Sequence, residues 1–341
     1  MIWQRGNVQD RCRRGCPPPV HRWMAKVHLA RIMLLALLLC GSLLESCTNA
    51  PPQKSTRATP ALSTAPKNGT TPTMVLPTPT RVTPQHYTAH ILLSGRERPD
   101  DLVFDREGHL LFSNPHNGTI NRLNGNGSVT TLLSGINAPE GLVVLSDGTL
   151  VIAEQGPNRI LTLAPGTSSP RILRQLPGVP STAHCKDGVD GIAFDATTNT
   201  LIIPDSPIGE VYRLSLDGKT LTPLASGIVR PVGAAVDAKG NIYVTDECGN
   251  ALWRIAPGGQ KTRIGGFGMP DDVSIDDSGN ILVTDLDPAI HALIRINAAT
   301  GARETLARKE YIEPQGLVLD ARGNIFVSDD FADIIVEYTP T

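Results

Sequence analysis

Residues 238–247 read AKGNIYVTDE, and nearly the same ten residues return twice, as DSGNILVTDL at 277–286 and ARGNIFVSDD at 321–330. Each copy is a turn, then three or four apolar residues, then a small polar residue and an acid. Relaxing the pattern to those features adds REGHLLFSN, SDGTLVIAE and ATTNTLIIPD, so six copies end at Asn114, Glu154, Asp205, Asp246, Asp285 and Asp329. A repeat of about forty residues decides architecture before any local propensity does. Ahead of each copy lies a second element: PDDLVFD, PEGLVVL, VDGIAFD, PVGAAVD, PDDVSID and PQGLVLD. Behind each comes a third apolar segment, and behind five of them a fourth, clearest in SVTTLLSG.

Each unit therefore predicts four short β-strands parted by Gly, Asn and Asp turns, with no amphipathic helical stretch. One such sheet cannot cover both of its faces. Packing six of them radially does, which predicts an all-β, six-bladed β-propeller over residues 86–341. The sixth unit stops after its third strand, whereas YTAHILLSG (residues 87–95) precedes the first unit and matches SVTTLLSG. This N-terminal strand is expected to complete the last blade and close the ring, leaving no unpaired edge.

The chain has 341 residues and a formal charge of −2, but the charge is unevenly spread. Residues 1–85 hold 11 basic and 2 acidic residues, which leaves 20 and 31, a net of −11, for residues 86–341. An acidic body without a Lys/Arg cluster does not favour nucleic acid or an anionic membrane face, and does favour cations.

Residues 1–47 read as a basic leader and an export signal. Lys26 and Arg31 precede an apolar run from Ile32 to Leu44, too short to span a bilayer comfortably but suited to a signal-peptide core. Met24 is an alternative start to Met1. The run ends in LLESC, similar to the lipobox of bacterial lipoproteins, with Cys47 as the residue to be lipidated; an uncleaved anchor or cleavage nearby are the alternatives. Residues 48–85 contain 18 Thr or Pro among 38, a composition that cannot bury a core and reads as a disordered stalk. The expected location is extracytoplasmic, at the cell envelope, with membrane contact only through the N-terminal anchor.

Function is expected where the repeat breaks. The acid closing strand two recurs in five of six units and the Asp closing strand one in five (Asp105, Asp195, Asp237, Asp276, Asp320), so both read as scaffold, accepting backbone N–H bonds in turns. Strand one is innermost in a propeller, and its first residues ring the channel mouth. Those positions hold Asp100, Glu140, Asp190, Val232, Asp271 and Gln315, followed by Asp101, Gly141, Gly191, Gly233, Asp272 and Gly316. Asp100, Asp101, Glu140, Asp190, Asp271 and Asp272 are thus candidate ligands for a hard divalent cation, Ca²⁺ most obviously. The competing reading is a hydrated acidic funnel with no ion.

The longest inter-blade loop, LPGVPSTAHCKDGVDG, carries His184, Cys185 and Asp187 and could overhang the mouth. His184, near Asp187 and Asp190, is the candidate general base. His116, His291, Asp187 and Gln315 are candidate ligand-binding residues on the same face. Cys185 and Cys248 lie in loops of that face on adjacent blades, and a disulfide is the economical reading, with two buried thiols or a metal pair as alternatives. Closing 63 residues would stabilise by about 4 kcal/mol on the chain-entropy model.

The NIYVTD and P-x-G elements resemble those of NHL-repeat and SMP-30/gluconolactonase-like propellers across the whole body. That resemblance implies one of two things. One is a tethered, non-catalytic module binding a small molecule, sugar or protein at its mouth. The other is a divalent-metal-dependent lactonase, in which Glu140 matches the family's Glu motif and Asp190 or Asp271 its Asp motif. The family's Asn ligands have no counterpart, since Val232, Gln315 or Asp stand there. A lyase like the streptogramin-inactivating propellers is a third reading, for which no equivalent His/Glu pair can be placed. No G-x-S-x-G elbow, phosphate loop or zinc-type Cys/His spacing points to another enzyme class.

Overall fold

In the computed structural model the described residues are 86–95, 97–308 and 310–341. The leader, the Cys47 lipidation site and the stalk lie outside them. Six four-stranded antiparallel sheets make up the fold. Blade one comprises β2 (Leu102–Phe104), β3 (Leu110–Asn114), β4 (Thr119–Leu123) and β5 (Val129–Ser134). Blade two comprises β6 (Pro139–Val144), β7 (Leu150–Glu154), β8 (Arg159–Leu163) and β9 (Arg171–Gln175). Blade three runs through β10 (Ala193–Asp195), β11 (Thr200–Asp205), β12 (Glu210–Ser215) and β13 (Leu221–Ser226). Blade four holds β14 (Pro231–Val236), β15 (Ile242–Asp246), β16 (Ala251–Ile255) and β17 (Lys261–Ile264). Blade five holds β18 (Pro270–Ile275), β19 (Ile281–Asp285), β20 (Ala292–Ile296) and β21 (Arg303–Ala307). Blade six is built from β22 (Pro314–Leu319), β23 (Ile325–Asp329), β24 (Ile334–Pro340) and, from the other end of the body, β1 (Tyr87–Ser94).

That last pairing closes the ring, with Tyr87 opposite Pro340 and Ser94 opposite Ile334. Strand three leaves the mouth, so β1 begins on the opposite face. His86 and Thr341 meet there through a backbone hydrogen bond of 2.9 Å. Apart from a single 3₁₀ turn at Ser206–Ile208, no helix occurs among the described residues.

The repeated decade folds as a closed hairpin. In blade five the Asp276 carboxylate accepts the Ser278 and Asn280 N–H groups, Asn280 Nδ2 donates to its other oxygen, and Gly279 takes φ +79°. Asp237 and Asp320 do the same with Asn241 and Asn324. Strand two is buried along its whole length in blades one, two, four, five and six, which explains its unbroken apolar run. Outer strands are largely exposed, as in β5 and β17.

The core is six layers, one between each pair of neighbouring blades. Ile152 and Ile120 pack between blades one and two, Ile203 and Val151 between two and three, and Val244 and Val211 between three and four. At the closing seam Phe112, Leu93 and Ile335 pack together, and Phe104 meets Phe326 edge-to-face at 5.1 Å.

Two devices lock the inner strands, and both involve the ring positions. Strand one carries a bulge in blades two, four, five and six, between Pro139 and Leu142, Pro231 and Ala234, Pro270 and Val273, and Pro314 and Leu317. The two ring residues inside each bulge leave the ladder and turn toward the channel. The hydroxyl preceding the strand-two acid then bridges blades. Thr245 Oγ1 accepts the Gly233 N–H and donates to the Asp271 carbonyl, Thr284 links Asp272 to the Gln315 carbonyl, and Ser328 links Gly316 to the Asp100 carbonyl. The last of these fastens blade six to blade one.

Candidate functional site

The mouth is built where strand one starts and strand two ends. The strand-two acids serve the scaffold, and reach further than the following turn. Asp246 accepts N–H groups from Gly249 and also from Val229 and Arg230, the residues leading into its own blade. Asp285 holds Gly268 and Met269, and Asp329 holds Ile312 and Glu313. Each such carboxylate pins an inter-blade connection over the mouth.

Four ring acids face the axis, and three are nearly sealed from solvent: Asp100 at 9% exposure, Glu140 at 6% and Asp271 at 8%. Burial raises the carboxyls of all three well above the usual carboxylate range, and the neighbouring acids push them further up. Asp100 and Glu140 crowd each other, and two ionised carboxylates there repel unless a proton or a cation comes between them. Asp271 has no hydrogen-bond partner for its carboxylate among the described residues, although Arg230 lowers its carboxyl somewhat from a distance.

Asp190 is different, because it has a cation. Arg230 Nη2 lies 3.2 Å from its carboxylate and 3.5 Å from Asp187, and the guanidinium also pairs with Glu247. Gln155 adds a weaker bond to Asp190 at 3.4 Å. Burial still raises the Asp190 carboxyl, with Arg230 opposing. Arg230, Glu247 and Gln155 were not foreseen from the sequence. Each stands immediately before a strand-one Pro or immediately after a strand-two acid, positions the repeat brings to the mouth in every blade.

Asp101 and Asp272, which replace glycine in blades one and five, are largely spent on the backbone. Asp101 accepts the N–H of Leu102 at 2.7 Å and of Leu142 in the next blade at 2.5 Å. Asp272 does the same with Val273 at 2.7 Å and Leu317 at 2.8 Å. Where glycine stands the inner strands meet directly: a Cβ on Gly141 would lie 2.6 Å from the Asp190 carbonyl oxygen, and one on Gly316 2.5 Å from that of Asp100. Asp101 titrates at about 7, raised by burial against the pull of its two backbone donors.

A cavity of about 10 Å³, room for one water-sized group, lies on the axis among Asp100, Asp101, Asp190, Asp271 and Asp272. Below it the channel widens to about 270 Å³, walled by apolar residues including Leu142, Ile192, Phe194 and Leu317.

The remaining candidates occupy the rim. His116 Nε2 lies 2.7 Å from Asp330, which also accepts from Gln315 Nε2 at 3.3 Å, while Arg98 approaches at 3.9 Å and lies over the exposed Phe331 ring. His291, at φ +39°, stands near Glu313 rather than near a ring acid. His184 is exposed, and among the described residues no hydrogen bond or ion pair joins it to Asp187 or Asp190, which Arg230 takes instead. Its ring lies beside Cys185 and Cys248, which form a disulfide with a Cα–Cα distance of 6.3 Å.

An all-oxygen donor set suits a hard cation. The ring carboxylates stand wider than one coordination sphere, however. Among the described residues, three His, Cys, Asp or Glu ligand atoms come within 4.8 Å of one another at Asp105/Glu107/His109 and at His184/Cys185/Cys248, and not in the ring. The first of these is a hairpin turn in which His109 Nδ1 bonds Asp105 at 2.9 Å, as Asn does in other blades. A divalent ion in the ring would be held by Asp100, Glu140 and Asp271, whose oxygens are not committed to backbone or arginine.

No protein-family profile and no curated protein matches the chain. Solved structures do. A gluconolactonase from Xanthomonas campestris superposes with a TM-score of 0.62 at 15% identity, covering 77% of this chain and 97% of that one. A virginiamycin B lyase from Staphylococcus aureus gives 0.55 at 18% identity, over 70% and 80% of the two chains. A nidogen/laminin complex gives 0.56 at 20% identity, over 65% and 85%. A gluconolactonase, a lyase and a nidogen/laminin complex share this scaffold, so the likeness carries the fold. In fold, this chain is a six-bladed β-propeller of the kind seen in gluconolactonases and virginiamycin B lyases.

Proposed function

We propose that this protein is an exported, envelope-tethered propeller that binds a ligand through a cationic group at its acidic mouth. One observation carries the reading: the Asp271 carboxylate, on a residue only 8% exposed, takes no hydrogen bond among the described residues and faces the axial cavity beside Asp100 and Glu140. Burial and the neighbouring Asp190, Asp100 and Asp272 disfavour its charged form, and an incoming cation relieves that repulsion. Arg230 shows how the ring receives a polyatomic cation, since its diverging N–H groups reach Asp190, Asp187 and Glu247 at once. A wide ring fits such a group better than it fits a bare ion. Export and tethering are supported by the Lys26/Arg31–apolar run–Cys47 sequence and the Thr/Pro stalk. His86, the first described residue, lies on the face away from the mouth.

The second reading is a metal-dependent lactonase, favoured by the oxygen-only donors and the gluconolactonase likeness. A metal held by Asp100, Glu140 and Asp271 would polarise a lactone carbonyl and lower the pKa of a bound water. The Asp190–Arg230 pair would then orient substrate, and the strap carrying His184 would limit access.

Thermal melting of the purified chain and of Asp271→Asn separates the two. It is run with chelator, with Ca²⁺, Mg²⁺, Mn²⁺ or Zn²⁺, and with organic ammonium and guanidinium ions. Stabilisation by organic cations, lost in the variant, supports the binding module. Stabilisation by one divalent ion together with lactone hydrolysis establishes the second reading. No shift with any cation removes both.

A further inference from the structure

The loop bearing His184 is fastened twice over. Its two ends are gripped by a fully buried pair on blades two and three. Asn158 Nδ2 donates to the Gly178 carbonyl at 2.8 Å and its oxygen accepts the Val189 N–H at 2.6 Å. Asp205 accepts the Gly178 N–H at 2.9 Å and the Asn158 amide at 2.8 Å. Within the loop, Ser181 N–H bonds the Lys186 carbonyl at 2.9 Å and Lys186 N–H bonds that of Ala183 at 3.2 Å, closing a turn around His184 and Cys185. Opposite, Gly249 N–H bonds the Asp246 carbonyl and carboxylate at 3.1 and 3.0 Å, closing a turn around Cys248. None of these bonds depends on the disulfide. The backbone on both sides of the disulfide is thus held by bonds of its own.

Two further facts mark this spot. A ring nitrogen of His184 and both sulfurs lie within 4.8 Å of one another. Cys185 is held at φ +64°, a left-handed conformation disfavoured for any residue with a side chain other than Asn or Asp. A staple alone would not require an imidazole against the sulfurs, nor a loop already secured without it.

We infer that Cys185, Cys248 and His184 form a redox-gated site for a thiophilic cation such as Zn²⁺, closed as the disulfide and opened by a dithiol or phosphine reductant. Reduction adds two electrons and two protons to the S–S bond, giving two thiols while the reductant is oxidised. A divalent ion then displaces both thiol protons and accepts the neutral His184 lone pair, leaving a fourth position for water. Tetrahedral Zn²⁺ needs sulfurs about 3.8 Å apart, given Zn–S bonds of about 2.3 Å. Rotation about the two Cα–Cβ bonds supplies that separation from Cα atoms 6.3 Å apart. The site is independent of the acid ring: soft ligands on the strap, hard oxygens on the axis.

The test is Co²⁺ titration of the full chain with Cys12, Cys16, Cys40 and Cys47 replaced by Ser, so that no other thiol contributes. The reduced protein should take up one equivalent, with the visible bands of tetrahedral Co²⁺ and a near-ultraviolet thiolate charge-transfer band, both bleached by Zn²⁺. The oxidised protein should show neither. Cys248→Ser should abolish the signal. His184→Ala leaves the disulfide able to form, and its melting in the oxidised state checks folding. Its affinity for Co²⁺ when reduced should fall by more than the roughly 10–100-fold that an outer-shell partner contributes. Absence of the bands in the reduced protein, their persistence in Cys248→Ser, or unchanged affinity in His184→Ala would each overturn the assignment.

Discussion

A carboxylate that recurs in a repeat is explained by the donors it satisfies. Asp246 accepts three backbone N–H groups and the Trp253 indole N–H at 3.0 Å, tying an inter-blade connection, a turn and a strand to one side chain. Hydrogen bonds to a charged acceptor contribute about 1.5–3 kcal/mol each, less when their donors can reach water. Asp246→Ala should therefore destabilise by about 2–4 kcal/mol, and Asp246→Asn, which keeps one acceptor oxygen, by about half as much. Denaturant unfolding measures both; a loss within the scatter of surface substitutions for the alanine variant would show that water replaces the clamp. At the same scale, Asp101 and Asp272 show why a residue type alone misleads. In the sequence they are extra acids on the axis and so candidate metal ligands. In the fold each caps the next blade's free N–H, at Leu142 or Leu317, a neighbour that no local reading of the chain can supply.

At the scale of the element, nearly all of the fold was written in the sequence, because a four-strand unit copied six times states its strands, turns and order redundantly. Strand one was legible only in outline. Its bulge depends on the preceding Pro, the pair after it and a hydroxyl from strand two, so the Ser/Thr of VTD and VSD reads as an ordinary β-former until the blades are in place. The same holds for Arg230, which looks like a loop cation before Pro231 and becomes the counter-ion of Asp190. Glycine spacing at the inner strands was visible, but its purpose was not. Adjacent blades touch there backbone to backbone, and Gly141→Ala would press a methyl against the Asp190 oxygen and the Gly191 Cα, at 2.6 and 2.8 Å. Neither neighbour is a flexible side chain. We expect a loss of about 1–3 kcal/mol, or more if the inner strand cannot shift, read as a lower Tm with the disulfide intact.

Across the whole molecule, closure and charge oppose one another. The ring is shut by β1, which packs its Leu93 with Ile335 and Phe112 and completes blade six. A chain lacking residues 87–94 should leave β24 as an open edge and lose two-state unfolding, with aggregation detected by light scattering. Against that closure the fold confines carboxylates whose pKa values lie above those of the unfolded chain. Burial pushes the Asp101 carboxyl up to about 7 in the folded protein, from the 3.8 of a free one. Between these pH values the native state binds more protons than the unfolded state, so stability falls as pH rises through that window. Asp100, Glu140, Asp271 and Asp272 shift in the same direction. The Tm should therefore be higher at pH 5 than at pH 8, the reverse of a protein stabilised by paired carboxylates. A cation bound to the ionised ring would raise Tm most at pH 8 and least at pH 5. Asp271→Asn removes one such charge, so without ligand it should melt above the parent at pH 8 and lose the cation response together. A variant less stable than the parent at pH 8, or a parent Tm that climbs steadily from pH 5 to 8, would mean that the mouth satisfies its own charge and keeps no place for a cation.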